Sequence, residues 1–175
     1  HVNRAWTGRH VFAGSATPTQ VDSAEGNALS VALEFDPAAG PVELRIALST
    51  TDAAGAAKNL QAESPTFDFD GTVAKAQDAW RAKLQAVELF GVEDAQKRTF
   101  YTALYHQFLM PSTYSDADGR YRRTDDSIAT ATGWNFVGDL SLWDTYRTTH
   151  PLYALVAPES ARDAARSLID FAPVR

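Results

Sequence analysis

Large apolar residues alternate with other residues in the first third of the chain. Every second position is occupied by one from Leu29 to Phe35 and again from Val42 to Leu48, with a Pro- and Gly-containing stretch between the two segments. A period of two is typical of strands with one buried face, so we predict a β-hairpin. Two or three strands cannot bury both faces alone, and we expect the rest of this sheet to come from preceding sequence or from a packing neighbour.

The pattern becomes helical after residue 70. Residues 52–70 contain many small residues and a Phe-Asp-Phe-Asp run, and they predict an irregular linker. Across residues 73–87 apolar side chains recur every third or fourth position, which predicts a helix ending near Gly91. We expect its apolar stripe, which includes Trp80, to be buried against protein.

Three further helices are predicted downstream. The second spans residues 93–110 and ends at Pro111. The third begins near Ser141 and is kinked or interrupted by Pro151, and the fourth begins at Pro158, since proline suits the first helical position. The side chains expected to face inward from the fourth helix are Ala161, Ala165, Leu168 and Ile169. The change from strands to helices predicts two domains, with no strands continuing past residue 80.

Composition narrows the classes of function. A net charge of −6 with scattered Lys and Arg offers no basic surface for phosphates, so nucleic acid is not an expected partner. The absence of cysteine excludes disulfides, thiolate catalysis and Cys-ligated zinc. No run of eighteen apolar residues is present, which predicts no membrane span. The sequence also lacks G-x-S-x-G, P-loop and G-x-G-x-x-G motifs, so serine-nucleophile and nucleotide chemistry have no support.

The densest polar and aromatic cluster lies at residues 133–147. A hexose is held by an aromatic platform under its ring and by charged groups that hydrogen-bond its hydroxyls, and Trp143, Asp144 and Arg147 could supply these parts. The alternative is structural: Ser141 and Asp144 have the spacing of a capping box, Asp144 and Arg147 that of an ion pair, and Trp143 could be core. Spacing alone favours the structural roles, because caps are more common than sugar sites.

The loop at residues 114–121 has Asp and Gly at offsets similar to those of a calcium-binding EF-hand loop. With Gly119 in the sixth position, however, Tyr114 would fill the first and Asp125, rather than Glu, the twelfth. We therefore predict a turn stabilised by Asp side chains, with no calcium at Asp116 and Asp118, and we assign no metal ligand in this chain.

Three long stretches, in this order and spacing, resemble glycoside hydrolase family 92. They are the Phe-Tyr-Thr-Ala-Leu-Tyr-His segment 100–106, the Ser-Asp-Ala-Asp-Gly-Arg-Tyr-Arg segment 115–122, and Ser-Leu-Trp-Asp-Thr-Tyr-Arg 141–147 followed by His150-Pro151-Leu152. The strand over 42–51, with Ala56, Asn59-Leu60 and the Trp80 helix, is similar to that family's passage from its N-terminal sandwich into its helical domain. The resemblance covers nearly the whole chain.

The resemblance implies a multidomain β-then-α fold. Members of the family are built from a β-sandwich packed on an (α/α)6 barrel. Residues 1–66 would then form the C-terminal part of the sandwich, residues 67–92 a linker and helix, and residues 93–175 the first part of the barrel.

The resemblance also implies the activity of an exo-acting, inverting, calcium-dependent α-mannosidase. Inversion needs a general acid and a general base, and in the family these groups and the calcium ligands lie beyond the position of Arg175. This segment alone is therefore predicted to be inactive and to supply sugar recognition by Trp143, Asp144 and Arg147, which shifts the balance for Asp144 toward a ligand role. The implied partners are a mannose-containing oligosaccharide or glycan and the remainder of the same polypeptide. The implied location is secreted or periplasmic in a bacterium, with the signal peptide outside this segment.

Two other interpretations stay open at this point. One is a non-catalytic carbohydrate-binding or interaction module whose helices cover a sandwich, and the other is a different glycosidase on a six-hairpin barrel. A self-contained module should bury its apolar stripes within these residues. Part of a larger enzyme should leave the faces of the Trp80 and Phe100 helices and one sheet edge exposed.

Overall fold

A computed structural model describes residues 1–14, 21, 24–25 and 27–172. The chain divides into two compact units, residues 1–46 and residues 47–175. Both mix extended and turned segments, and the helices longer than one turn belong to the second unit. No helix in the described ranges has the length and apolarity needed to cross a bilayer.

The first unit is built on an antiparallel strand pair. Strand β1 (Gly8–Ala13) pairs with β2 (Leu29–Glu34), with Val11 opposite Val31. The predicted hairpin between residues 29–35 and 42–48 is therefore wrong in its pairing.

Residues 42–48, predicted as the second strand, contact the N-terminal residues instead. Leu44 forms an isolated bridge with Val2, and the backbone N–H of Arg45 donates to the carbonyl of His1 at 2.9 Å. Between β2 and this segment, the Asp36 carboxylate accepts the N–H of Ala38 at 2.9 Å and starts a short 3-10 turn. The alternation correctly marked β2, whereas residues 42–48 contribute only the isolated bridge at Leu44 and form no strand among the described residues.

The second unit contains, in the part of the chain that the structure describes, six helices and four short strands. The helices are α1 (Ala53–Glu63), α2 (Phe69–Leu84), α3 (Asp94–Gln107), α4 (Leu142–Thr145), α5 (Thr149–Val156) and α6 (Pro158–Phe171). The strands are β3 (Ser112–Thr113), β4 (Arg120–Arg122), β5 (Ile128–Thr130) and β6 (Val137–Gly138). Strand β3 pairs with β6 and β4 with β5, both antiparallel.

Helix α1 corrects the prediction of an irregular linker over residues 52–70. The Asp52 carboxylate caps this helix by accepting the N–H of Gly55 at 2.7 Å. The small residues that follow are mostly alanines, which have the highest helix propensity, and Leu60 is buried. Helix α2 likewise begins early, capped by Asp68, and it ends at Leu84 rather than near Gly91.

The apolar stripe of α2 is less buried than predicted. Trp80 is half-buried, and its ring lies 4.5 Å from the ring of Tyr105 on α3. Leu84 is also half-buried, while Val73 is 37% exposed. The described residues alone therefore do not enclose this stripe.

The later helices differ from prediction in their ends and their buried faces. Helix α3 ends at Gln107, and the predicted third helix is two separate helices, α4 and α5. Pro151 lies in the first turn of α5, where its missing N–H is not needed, so it does not kink the helix. Helix α6 begins at Pro158 as predicted. The predicted inward positions Ala165 and Ile169 are exposed. The buried positions of α6 are Asp163, Ala164 and Ser167.

A small aromatic core lies between the strands and α6. The ring of Tyr121 stacks on that of Phe136 with centroids 4.1 Å apart, and Trp134 meets Tyr121 edge-on at 5.9 Å. Tyr121 and Phe136 are both buried. The expectation of no strands past residue 80 is wrong, because the segment 112–138 builds two short strand pairs around this core.

A buried carboxylate joins α1 to the turn before β4. The Asp116 side chain is 1% exposed and accepts hydrogen bonds from Ser49 (2.8 Å), Thr51 (2.5 Å) and Asn59 (2.9 Å). The Asn59 amide oxygen in turn accepts the N–H of Ala117 at 2.7 Å. Burial alone would raise the pKa of Asp116, but these hydrogen bonds and the charge of Arg120 outweigh burial and hold it below its usual value.

An exposed layer of ion pairs covers this buried carboxylate. Arg120 lies 3.0 Å from both Asp52 and Asp118, and Lys58 lies 2.8 Å from Asp118. The pKa of Asp118 is lowered to about 2, and the main cause is the hydrogen bond from Lys58. Burial raises this pKa by less than Lys58 lowers it, and the contacts with Arg120 lower it further. The turn stabilised by Asp side chains that the sequence predicted in the loop 114–121 is confirmed, since the Arg120 N–H donates to Asp118 at 3.2 Å.

Replacing Asp116 by Ala should lower the free energy of unfolding by about 3 to 5 kcal/mol. The substitution removes the shared acceptor of three donors, two of which are on buried residues, and each such loss is costly. Urea denaturation measures the change, and the matched control is Asp78→Ala, which removes a carboxylate 72% exposed in a surface pair with Arg81. The control should cost at most about 1 kcal/mol.

The sign of the pH dependence provides a second check on Asp116. Its folded pKa is below the usual value of 3.8, so its contribution is complete above that pH and is lost as the pH falls through the lower folded pKa. The difference in stability between wild type and Asp116→Ala should therefore shrink below pH 3.8. A difference that is small at pH 7, or constant down to acid pH, would contradict this role.

Gly119 is required by both its backbone angle and its surroundings. Its φ is +83°, and an added Cβ would lie 2.5 Å from the carbonyl oxygen of Ala131. Gly91 has φ +67° with nothing within 4 Å of such a Cβ. Gly91→Ala should cost about 1 kcal/mol of unfolding free energy, and Gly119→Ala at least about 2 kcal/mol. Equal losses in urea titrations of the two variants would show that the clash with Ala131 is relieved at no cost.

Candidate functional site

The segment around α4 carries the residues that the sequence selected for sugar binding. Trp143 is 88% exposed, and Asp144 is exposed beside it in the first turn of this short helix. The hydroxyl of Ser141 donates to Asp144 Oδ2 at 2.8 Å. The other carboxylate oxygen of Asp144 has no hydrogen-bond partner among the described residues, so it is open to a hydroxyl donor from outside.

The capping-box alternative does not form in this geometry. The backbone N–H of Asp144 donates to the carbonyl of Ser141 at 3.0 Å, and no side chain caps α4 in the structure as described. The carboxylate of Asp144 therefore accepts from the hydroxyl of Ser141 and not from its backbone N–H. Trp143 is not a core residue within the described part of the chain.

The ion-pair alternative for Arg147 does not form either. Within the described ranges Asp144 and Arg147 share no ion pair. The guanidinium of Arg147 lies over the ring of Tyr146, 5.2 Å from the ring centre, and its Nε contacts the Tyr146 hydroxyl. The three predicted residues thus share one exposed segment, but Arg147 is held by its aromatic neighbour.

A tight turn before α4 sets where this segment begins. An added Cβ at Gly138 would lie 2.6 Å from the Tyr114 ring, so the ring packs directly on the backbone of β6. The Tyr114 hydroxyl donates to Asp139 at 3.2 Å, and the charge of Asp139 raises the pKa of Tyr114. Asp139 has φ 59°, which turns the chain toward α4.

Two polar residues of α6 hold the strand that precedes this turn. Asp163 accepts both the backbone and side-chain N–H groups of Asn135, and Ser167 accepts the N–H of Val137. The sequence analysis missed both residues. The sequence did contain one indication of their role, because Asp163 and Ser167 are polar residues at positions i and i+4 and therefore share one face of the amphipathic helix.

The described residues do not fit calcium. The oxygens of Asp116 are occupied by hydroxyl and amide donors, and Asp118 is occupied by Lys58 and Arg120. No group of three or more His, Asp, Glu or Cys that could hold a metal ion was found among the described residues. The expectation that calcium ligands lie beyond Arg175 stays a prediction.

The fold is similar to that of several solved glycoside hydrolases. A family 92 glycosyl hydrolase matches with a TM-score of 0.85 and 24% identity over 96% of this chain and 22% of its own. A family 92 inverting mannosidase from Bacteroides thetaiotaomicron matches with a TM-score of 0.82 and 27% identity, over 96% of this chain and 23% of its own. A second family 92 α-mannosidase from that organism has also been solved in complex with mannoimidazole. It matches with a TM-score of 0.78 and 25% identity, over 97% of this chain and 24% of its own.

Sequence comparison points to the same family. A curated protein from Arthroderma benhamiae, described as an uncharacterized secreted glycosidase, is 35% identical over 78 residues, which are 42% of this chain and 10% of that protein. The chain thus spans a tenth of this relative and less than a quarter of the structural ones. Residues 55–174 match the model of the glycosyl hydrolase family 92 catalytic domain. This match covers more than half of the sequence and confirms the resemblance: the chain belongs to glycosyl hydrolase family 92.

Proposed function

We propose that this chain is part of an exo-acting, inverting α-mannosidase that hydrolyses terminal α-mannosides, and that Trp143, Asp144 and Arg147 help to bind the terminal mannose. The family membership supports the reaction class, and the names of two structural relatives support the sugar. The relative solved with mannoimidazole supports a mannose-containing oligosaccharide or glycan as the ligand.

One observation carries the assignment of the sugar site. Asp144 keeps one carboxylate oxygen free while Ser141 holds the other, and the neighbouring Trp143 ring is almost fully exposed. A carboxylate held in place on one side can accept a sugar hydroxyl on the other, and the indole can cover an apolar ring face. Arg147 remains a weaker candidate, because its guanidinium already contacts Tyr146.

The finer architecture is also proposed. We retain residues 1–66 as the C-terminal part of a β-sandwich, 67–92 as a linker and helix, and 93–175 as the first part of an (α/α)6 barrel. The match over almost the whole chain to family structures supports this order. The family model begins at residue 55, within the proposed sandwich, so α1 lies where the proposed sandwich and the catalytic-domain match overlap.

The catalytic acid and base are proposed to lie in the rest of the polypeptide. An inverting glycosidase places its two carboxyl groups about 6.5 to 9.5 Å apart on opposite faces of the sugar. We assign neither role to a residue of this chain, and we derive no step through calcium. A secreted or periplasmic location and a bacterial source are part of the proposal, and the description of the Arthroderma relative as secreted supports export.

Exposed apolar faces favour a part of a larger enzyme over a self-contained binding module. Phe69 on α2 is 74% exposed and Tyr105 on α3 is 37% exposed, while Phe100 is half-buried. In the first unit Val31 and Leu44 are each about 60% exposed. Such faces need covering by protein. The family match disfavours a glycosidase of another type.

Replacing Asp144 by Asn should lower kcat/KM of the full-length enzyme for an α-mannoside at least about tenfold, which corresponds to about 1.4 kcal/mol. The amide keeps the shape of the side chain but weakens its charge-assisted hydrogen bond to the sugar. The melting temperature should stay nearly unchanged. The matched control is Asp126→Asn, an 89% exposed carboxylate whose φ of 67° also suits Asn, and it should leave both values unchanged.

The alternative for Asp144 is a purely structural role. In that case Asp144→Ala would lose stability while the folded molecules kept their activity. Steady-state kinetics and thermal unfolding of both Asp144 variants separate the two roles. An active, destabilised Asp144→Ala protein would remove Asp144 from the proposed site.

The 175-residue chain expressed alone should not hydrolyse an aryl α-mannoside, because the proposed acid and base lie outside it. The full-length protein is the positive control in the same assay. Hydrolysis by the isolated chain above the rate of a buffer blank would show that the catalytic carboxyls lie within residues 1–175. Inactive full-length protein that still binds mannosides would favour the binding-module interpretation.

A further inference from the structure

We propose that Asp163 and Ser167 on α6 are positioning residues for the sugar-binding segment, acting through the backbone of residues 135–137. This inference rests on the proposed function, because it takes Trp143 and Asp144 as the groups that are positioned. Neither α6 residue is placed in contact with the sugar.

Two side chains about one turn apart on α6 bind backbone N–H groups two residues apart in the extended segment 135–137. Asp163 Oδ2 accepts the backbone N–H of Asn135 at 3.1 Å and its side-chain Nδ2 at 3.2 Å. Ser167 Oγ accepts the N–H of Val137 at 2.9 Å and donates to the carbonyl of Asp163 at 2.8 Å. Four residues of helix rise about 6 Å, and two residues of strand extend about 6.6 Å. The two acceptors therefore coincide with two N–H groups on the same side of the strand.

The opposite side of the same strand is held independently. The N–H of Phe136 donates to Ser115 Oγ at 2.6 Å, and the carbonyl of Phe136 accepts the N–H of Tyr114 at 2.9 Å. Successive N–H groups thus alternate between α6 and the β3 side. A shift of the strand by one residue would exchange the two sides and break all of these bonds, so the register of residues 135–137 is fixed.

Because the α6 side chains are buried, losing one of their hydrogen bonds should be costly. Ser167 is 0% exposed and the Asp163 side chain is 8% exposed, so water cannot replace a lost partner easily. Asp163 Oδ1 is buried without a hydrogen bond, and Arg162 Nε lies 3.5 Å from it. Asp163 thus combines this ion pair with its two hydrogen bonds to Asn135.

The fixed strand is the last buried anchor before the sugar-binding residues. Val137 and Gly138 are buried, whereas Leu142, Trp143 and Tyr146 are exposed. The next buried residue along the chain is Thr149, which donates to Gln107 at 2.7 Å. The position of α4 therefore depends on its two ends, and α6 fixes the first of them.

A double-mutant cycle in the full-length enzyme tests this coupling. Ser167→Ala removes the acceptor of the Val137 N–H together with the donor to the carbonyl of Asp163. We expect it to lower kcat/KM for an α-mannoside about five- to tenfold, chiefly through a higher KM. In an Asp144→Asn background the same change should lower kcat/KM by less than about twofold, because residues acting through one contact are non-additive. Equal losses in the two backgrounds would overturn the inference.

A readout independent of catalysis accompanies the kinetics. Hydrogen exchange of the amides of residues 139–147 should become faster in Ser167→Ala, while that of α1 stays unchanged. The matched control is Thr51→Val, which removes another buried hydroxyl but one that bonds Asp116. It should leave KM and the exchange of residues 139–147 as in wild type, and faster exchange there in the control would equally count against a specific role of α6.

The failure of this inference and that of the proposed function are distinguishable. Wild-type enzyme without α-mannosidase activity, or Asp144→Asn with full activity, rejects the proposed function. Active enzyme with impaired Asp144→Asn but an additive cycle rejects only the positioning role. If Ser167→Ala does not fold, Asp163→Asn replaces it in the cycle, since Asn keeps an acceptor but removes the charge. Asp163→Asn should lower kcat/KM about threefold in the otherwise wild-type enzyme and should have little further effect in the Asp144→Asn background.

Discussion

The buried carboxylate of Asp116 is the interaction on which the second unit depends. Its donors come from the segment before α1 and from α1 itself, while Asp116 belongs to the turn before β4. Thr50 in the same segment donates to the carbonyl of Tyr114 at 3.0 Å. Tyr114 also packs its ring on Gly138, so the segment before α1 and strand β6 contact the same residue.

The sequence predicted local structure wherever local chemistry decides it. Pro158 begins α6, and the turn stabilised by Asp side chains forms within the loop 114–121, because each depends on residues close in sequence. The pairing of β2 with β1 and the bridge of Leu44 to Val2 depend on distant residues, which an alternating pattern cannot identify. Helix α1 was not predicted, because small residues suggest turns, although most of those in α1 are alanine.

The candidate site shows the same division. Trp143, Asp144 and Arg147 were found from residue type and family resemblance, and the structure places them on one exposed segment. The α6 residues that hold the neighbouring strand, Asp163 and Ser167, were not predictable because they are distant in sequence from this segment. The pattern of apolar residues had also predicted a different inward face for α6. That face is partly polar because it meets backbone N–H groups, which need acceptors when buried.

The contacts of α6 with main-chain atoms limit which sequences this region can tolerate. Every residue except proline carries a backbone N–H, so positions 136 and 137 can change side chain without losing their bonds to Ser115 and Ser167. Only an acceptor side chain can serve at 163 and 167, however. The hydrogen bonds that hold residues 136 and 137 therefore set the backbone without specifying the side chains, and the choice of Phe136 is left to its packing on Tyr121.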